Sequence, residues 1–384
     1  MTEYRRGKRP GSPDNSQDRN KRQRIGIGGV VAAHYNNIQE KSIEDRFQSS
    51  IIHMRSFNNW IKSMLISSVS DMVRGGMWDA QEPLTVLDIG VGKGGDLGKW
   101  SKHGIKHLIG FDIASESLAC CKSRFQDMQR NSRRFNGPPF TAEFYEADFT
   151  RDRLKDMINP GNIPVDIVSC QFSFHYCFES FAQADHTLAN VSECLKDGGY
   201  FMLTFPDAYN IVHRWKAAGG NEFGNRICKV NFGQPPCQLP LFGAKYRFSL
   251  EGVVDCPEFL VYFPALVEIA KRNGLTLVYR KTFKELFDEH SSTSAGRGLL
   301  GRMQALETYP SGERNQRNLE SIGEYEHAKR FVANLTKESG GGDRDIRVGT
   351  LSKSEWEAAS LYTAAVFKKP TMADRAVLSI EDDD

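Results

Sequence analysis

No stretch of this 384-residue chain approaches the roughly eighteen consecutive apolar residues that a membrane span requires. The nearest run, IGIGGVVAA at 25–33, is short and holds three glycines. It also follows a tail too long and too acidic for the charged region of a signal peptide. Cysteine is sparse: eight residues, no Cys-x-x-Cys pair and no accompanying histidine cluster, which argues against zinc. A chain of this size does not need disulfides, so reduced thiols in the nucleus or cytosol fit best. No internal repeat is visible, and no single sign of charge dominates, since 50 basic side chains meet 48 acidic ones for a net +2. With 40% hydrophobic and 26% charged residues, collagen, a coiled-coil rod and a wholly disordered protein are excluded. What remains is a soluble globular protein with ample chain for a large core, and an enzyme is the expectation.

The near-neutral total hides an asymmetry. Residues 1–24 carry eight Lys/Arg against three acids, +5, which leaves −3 for the rest, and the chain ends Glu381-Asp382-Asp383-Asp384. So basic and apolar-poor a tail cannot bury enough surface to order itself. Its two basic clusters, Arg5-Arg6-Gly7-Lys8-Arg9 and Lys21-Arg22-Gln23-Arg24, look like a nuclear localisation signal.

Residues 41–73 repeat apolar side chains at three- and four-residue steps (Ile43, Phe47, Ile51, Met54, Phe57, Ile61, Met64, Leu65, Val69) and predict a helix. Strands follow at Leu84–Ile89, His107–Asp112, Thr141–Ala147, 165–171 and Tyr200–Phe205, with helices at 115–130 and 179–195 between them. That alternation predicts a doubly wound parallel sheet. Residues 219–258, rich in Gly, Pro, Cys and aromatics, read as loops with short antiparallel strands. A helix at 259–273, a strand at Leu275–Arg280 and a last strand, TAAVF, complete the expectation, with polar connections at 291–300, 310–320 and 337–347.

The sharpest segment is Val86–Asp96, VLDIGVGKGGD. Gly90, Gly92 and Gly95 match G-x-G-x-x-G, and Asp112 stands twenty residues past Gly92 at the end of the next strand. Glycines let the backbone turn tightly against a ligand, and a second-strand carboxylate accepts ribose hydroxyls. This alone fits a dinucleotide or S-adenosylmethionine equally well. Asp88 favours the second, because its carboxylate suits a cationic amine and sulfonium and would repel a pyrophosphate. Lys93 is then available for another anion. Asp148 and Gln171, at the ends of the third and fourth strands, face the same crevice, and Asp148 suits an adenine amino group.

Longer stretches carry a resemblance. HYN (34–36), FNNWIKS (57–63), VLDIGVGKGGDLGKW (86–100), DIA (112–114), CQFSFHYCFES (170–180), LFGAKYRFSLEGVVDCPEFLVYF (241–263), MQALE (303–307) and GTLSKSEW (349–356) occur in one order. In them the chain resembles the eukaryotic mRNA cap guanine-N7 methyltransferases over about residues 28–368. The resemblance implies a class I S-adenosylmethionine-dependent methyltransferase fold, Rossmann-like and doubly wound, with a cap-binding insertion at about 207–258. It implies a catalytic domain at 26–369, a lobe at about 291–350 that would receive a small activating subunit, a tail at 1–25 and an acidic tail at 370–384. S-adenosylmethionine would meet Lys62, Gly90, Asp112, Asp148, Gln171 and Tyr176. The capped RNA end would meet Asn58, Asn59, Lys93, Lys99, Arg124, His175, Glu258 and Tyr362. No acid–base catalyst and no metal are implied; His175, Tyr176 and Glu258 would position the guanine. Capped pre-mRNA is the implied partner, in the nucleus and beside the RNA guanylyltransferase–triphosphatase and RNA polymerase II. One departure is Pro206-Asp207, where the family has Pro-Asn. A nicotinamide-dependent dehydrogenase and a non-catalytic cap-binding protein are the rival readings.

Overall fold

The computed structural model describes residues 26–38, 49–75, 82–131, 140–234, 238–310, 323–338 and 346–374. Outside them lie the basic tail and its nuclear signal, residues 41–48 of the expected first helix, Gly137-Pro138-Pro139, Cys237, most of the 310–320 and 337–347 connections and the acidic terminus.

The described chain opens with α1 (Ile27–Asn37) and the long α2 (Ile52–Gly75). Strands and helices then alternate: β1 (Leu84–Ile89), α3 (Leu97–Lys102), β2 (Ile105–Asp112), α4 (Ser115–Arg130), β3 (Thr141–Glu146), β4 (Val165–Gln171), α5 (Phe181–Cys194) and β5 (Leu195–Pro206). After α6 (Ala208–Ala218) come β6 (Glu222–Gly224), β7 (Cys228–Asn231), β8 (Lys245–Leu250) and β9 (Val254–Phe259). The chain continues through α7 (Phe263–Arg272), β10 (Thr276–Thr282), α8 (Phe283–Ser291), α9 (Ser294–Met303) and β11 (Glu307–Tyr309). It closes with α10 (Glu326–Glu338), β12 (Val348–Thr350), α11 (Lys353–Ala359) and β13 (Tyr362–Lys368). Among the described residues no helix is long and apolar enough to cross a membrane.

Seven strands form one sheet in the order β10-β13-β5-β4-β1-β2-β3. β1 to β5 pair in parallel, and β13 runs antiparallel between β5 and β10. Every residue of β1 and of β4 is buried, as near-continuous apolar strands must be when helices cover both faces. On one face Phe57, Trp60 and Leu65 of α2 pack with Trp100; on the other lie Phe174, Phe178, Phe201 and Phe205. The strand order reverses between β2-β1 and β4, which opens a crevice beyond the carboxyl ends of β1 and β4. β6 to β9 form a separate antiparallel sheet in sequence order.

Two expectations change. Residues 291–300 are not a polar connection: α8 runs to Ser291 and α9 takes up the chain from Ser294, where its Gly296 carbonyl accepts the Trp60 indole N–H at 2.9 Å. A Cβ on Gly296 would lie 2.1 Å from the His290 carbonyl oxygen, so this glycine allows a close approach rather than marking a loop. The helix expected at 259–273 begins only at Phe263, so Glu258 is not at a helix start. It lies on β9, the edge strand of the small sheet, opposite Tyr246 of β8, and an edge position tolerates the neighbouring Pro257.

Candidate active site

The glycine loop after β1 is tied down by its neighbour strand, with the N–H groups of Gly90 and Val91 both donating to the Phe111 carbonyl, at 2.8 and 2.9 Å. Gly90 has φ +74°, and a Cβ there would meet the Ser173 Cβ at 2.8 Å, so a side chain would both strain the turn and fill the cradle. Asp112, at the tip of β2, accepts the Gly92 N–H at 2.7 Å through Oδ2 and the Ala114 N–H at 2.8 Å through Oδ1. Burial raises its carboxyl pKa, against the pull of these N–H groups. Each oxygen keeps a lone pair for a ligand hydroxyl. Asp148 uses Oδ1 to cap its own turn, accepting from the Thr150 N–H and hydroxyl, while Oδ2 lies beside Gly28 of α1, where a Cβ would come within 2.9 Å. Gln171 turns inward, accepting from Thr204 at 3.1 Å and donating to Ser169 at 3.2 Å. A side-chain-free cradle flanked by buried carboxylates fits an adenosyl group joined to a cationic sulfonium and amine.

Lys62 of α2 does not stand alone. Its ammonium lies 2.8 Å and 2.9 Å from the two oxygens of Asp96, which also accepts Lys99 at 2.5 Å. Burial alone would raise Asp96, but the two lysines hold its carboxyl down at about 2. Burial lowers Lys99 to about 8. Asp88, at the end of β1, is pushed up to about 7 by burial and by Asp96, with Lys62 opposing. Between its ordinary 3.8 and about 7 the folded chain therefore holds a proton that the unfolded chain has lost. Stability must fall as pH rises through that window; Asp96 contributes no slope there, because both of its values lie at or below 3.8. We expect Asp88→Asn to gain on the wild type by about 2–4 kcal/mol between pH 5 and pH 8 in denaturant unfolding. A constant difference across that range would show that Asp88 titrates as an ordinary carboxylate.

On the other side of the crevice, aromatic groups converge on Glu258, which is 4% exposed. The Tyr246 hydroxyl donates to Oε2 at 2.7 Å. His175, on a short turn of helix after β4, places Nε2 at 3.4 Å from Oε1 without forming a hydrogen bond. Among the described residues neither ring nitrogen has a hydrogen-bond partner, although the residue is 2% exposed. Burying unpaired polar atoms costs about 1–3 kcal/mol each, a cost that a hydrogen-bonding ligand would offset. The His175 and Tyr176 rings lie 4.2 Å apart, and Tyr362 sits edge-on to Phe172 at 5.0 Å. Burial and the nearby Glu258 charge raise the phenol pKa values of Tyr362 and, through its bond, Tyr246. Removing that bond in Tyr246→Phe should lower turnover about tenfold with cofactor affinity unchanged, as read by steady-state kinetics and calorimetry. Wild-type turnover would show that Glu258 needs no such anchor.

The structure thus brings Gly90, Asp112, Asp148, Gln171 and Tyr176 to one crevice, with Lys62 and Lys99 joined through Asp96 at its side and Asn59 accepting from Lys99. Asn58 on α2 is half-buried, and its buried Oδ1 has no hydrogen-bond partner among the described residues. Lys93 donates to the Ile38 carbonyl at 2.9 Å, and Arg124 lies on α4, one turn from Cys121. Residues that sequence reasoning missed are Tyr35, Tyr246, Asp96 and Phe172. Tyr35 reaches across from α1 to the Tyr176 hydroxyl at 3.4 Å. Phe172 has φ +59° and turns its ring toward Lys62 and Tyr362, whereas Phe174 and Phe178 are fully buried. Its place just past the strand was the only available signal. Asp207, the departure from Pro-Asn, caps α6 by accepting the Tyr209 N–H and pairs with Arg280 at 2.7 Å. Among the described residues no group of three His, Cys, Asp or Glu is placed to hold a metal.

Residues 18–370 match the model of a family described as the mRNA (guanine-N(7))-methyltransferase domain. The chain is 47% identical over 345 residues to the mRNA cap guanine-N(7) methyltransferase of Drosophila melanogaster, covering 88% of this chain and 77% of that one. To the protein of the same name in Schizosaccharomyces pombe it is 36% identical over 283 residues, covering 72% and 75%. Among solved structures, a S-adenosylmethionine-dependent methyltransferase from Clostridium acetobutylicum covers 59% of this chain and 83% of its own at 15% identity and TM-score 0.40.

Proposed function

Since the chain belongs to the mRNA (guanine-N7)-methyltransferase family and is a S-adenosylmethionine-dependent mRNA cap guanine-N7 methyltransferase, we propose that the crevice between β1, β4 and the small sheet is its reaction site. The observation that carries this reading is buried His175, whose ring nitrogens have no hydrogen-bond partner among the described residues and whose Nε2 faces the Glu258 carboxylate at 3.4 Å. S-adenosylmethionine supplies a methyl group on a sulfonium sulfur, and guanine N7 accepts it through a lone pair without losing a proton, so no general base is needed. Catalysis then reduces to position and field, and positioning of this kind contributes about 7–11 kcal/mol.

Glu258 accepts hydrogen bonds from the guanine Watson–Crick edge and favours the ring as it becomes cationic. Tyr246 holds that carboxylate, and His175, Tyr176 and Tyr362 enclose the base. Gly90, Asp112, Asp148 and Gln171 receive the adenosyl part, Asp88 faces its cationic end and Lys62 its carboxylate. Asn58, Asn59, Lys93, Lys99 and Arg124 border the path of the triphosphate bridge.

The enzyme's place of work follows from the tail. Its two basic clusters support nuclear import, where guanylyltransferase and RNA polymerase II supply capped transcripts. Deleting residues 1–24 should move the protein out of the nucleus, as seen by imaging, with methyl transfer in vitro retained. Continued nuclear accumulation would place the signal elsewhere. The 291–350 lobe is where a small activating subunit would dock.

Methyl transfer from labelled S-adenosylmethionine to GpppG-capped RNA, with ApppG-capped and triphosphate-ended RNA alongside, tests the reading. Label recovered as 7-methylguanosine on GpppG ends alone is the expected result; label on ApppG ends would overturn the guanine assignment.

A further inference from the structure

Asp96 stands at the N-cap of α3, where an aspartate ordinarily accepts a backbone N–H, yet its carboxylate makes no such bond. The side chain is turned instead toward two ammonium groups from different elements. Lys62 of α2 and Lys99 of α3 lie 2.8 and 2.5 Å from the same oxygen, Oδ1. The three side chains are nearly buried, at 11–14% exposure. Lys99 has two further acceptors, the Asn59 side-chain oxygen on α2 and the Gly95 carbonyl in the glycine loop, each at 2.9 Å. Its three N–H donors are thus all engaged within the protein.

We propose that Asp96 is a positioning residue shared by the two halves of the reaction site, holding Lys62 for the cofactor and Lys99 for the capped RNA end on a single carboxylate. The proposal rests on the functional reading above, which assigns the two lysines to different ligands. It adds that neither lysine is set independently. An anion that draws one ammonium away leaves Asp96 to the other, so occupancy of either half alters the cation offered to its neighbour. Asp88 of β1 is the remaining charged group on this cluster, and it faces Asp96 and Lys62. With Asp96 gone it would be the only carboxylate left to both lysines, and it lies on the cofactor side.

The test is Asp96→Asn, with S-adenosylhomocysteine and the GpppG dinucleotide titrated separately by calorimetry. Both Kd values should rise about tenfold or more, the loss expected when charge-assisted bonds to one carboxylate disappear. Because Asp96 touches no reacting atom, both KM values should rise while kcat at saturation changes by less than about threefold. Loss confined to one ligand, or to kcat, overturns the proposal. If the variant does not fold, Lys99→Met decides: S-adenosylhomocysteine affinity should change several-fold although Lys99 is assigned to the RNA side, and an unchanged affinity overturns the shared role. Wild type binding both probes while Asp96→Asn binds them equally well sinks this proposal alone. Wild type binding neither sinks the functional reading, and this with it.

Discussion

Replacing Glu258 with alanine should lower kcat for cap methylation by about 10²–10³-fold while S-adenosylmethionine affinity stays within about twofold. The carboxylate is 4% exposed, and Oε2 is fixed by the Tyr246 hydroxyl at 2.7 Å, which leaves Oε1 facing His175 and the space beside it. A guanine edge presents N–H donors to such an oxygen before and after the reaction. What changes is the charge of the ring, neutral at first and cationic once N7 carries the methyl group. In a site this dry the attraction between carboxylate and purine strengthens as that charge develops, so the interaction acts on the transition state more than on the bound substrate. Glu258→Gln separates the two contributions, because it keeps an acceptor oxygen and removes the charge. If the charge matters, the glutamine variant should stay within a few-fold of alanine in kcat. Full activity in either variant would remove Glu258 from the guanine site.

Asp112→Ala should weaken S-adenosylmethionine binding by about a hundredfold, with a fall in stability of comparable size, about 2–3 kcal/mol. Two effects add. The carboxylate holds the N–H groups of Gly92 and Ala114, so its loss orphans two backbone donors and frees the glycine loop that shapes the cradle. The same oxygens are the acceptors available to ribose hydroxyls. Calorimetry would measure the affinity and thermal unfolding the stability. Unchanged affinity would sink the ribose assignment even if the loop were loosened. Asp112→Asn keeps one acceptor oxygen and should recover part of the affinity.

Much of this architecture is visible in the order of residues. β1 and β4 are short, mainly apolar runs that close on Asp88-Ile89 and Gln171, and a buried parallel strand has few other compositions available to it. The glycine loop announces itself because a turn with φ +74° at Gly90, closed by N–H bonds to Phe111, admits few other residues. Gly90, Asp112, Asp148 and Gln171 fall into one crevice because alternation of strand and helix places all strand ends on one side. Lys62 on the cofactor side, and His175, Glu258 and the cap side other than Lys93, were legible only through resemblance, since periodicity reads Phe57–Ser63 as an ordinary helix face.

The chain's own order therefore determines the doubly wound sheet, the glycine loop after β1 and the family to which both belong. Tertiary structure alone decides who meets whom across long separations. Glu258 reaches His175 because a separate sheet, paired Tyr246 to Glu258, folds back over the strand ends. Tyr35 meets Tyr176 over 141 residues of chain, and Lys62 meets Asp96 over 34. The physical reason is range: backbone geometry is set by neighbours a few residues apart. A shared counter-ion or an unpaired imidazole is set by packing, which brings charges and polar atoms together out of water only when the whole fold has closed.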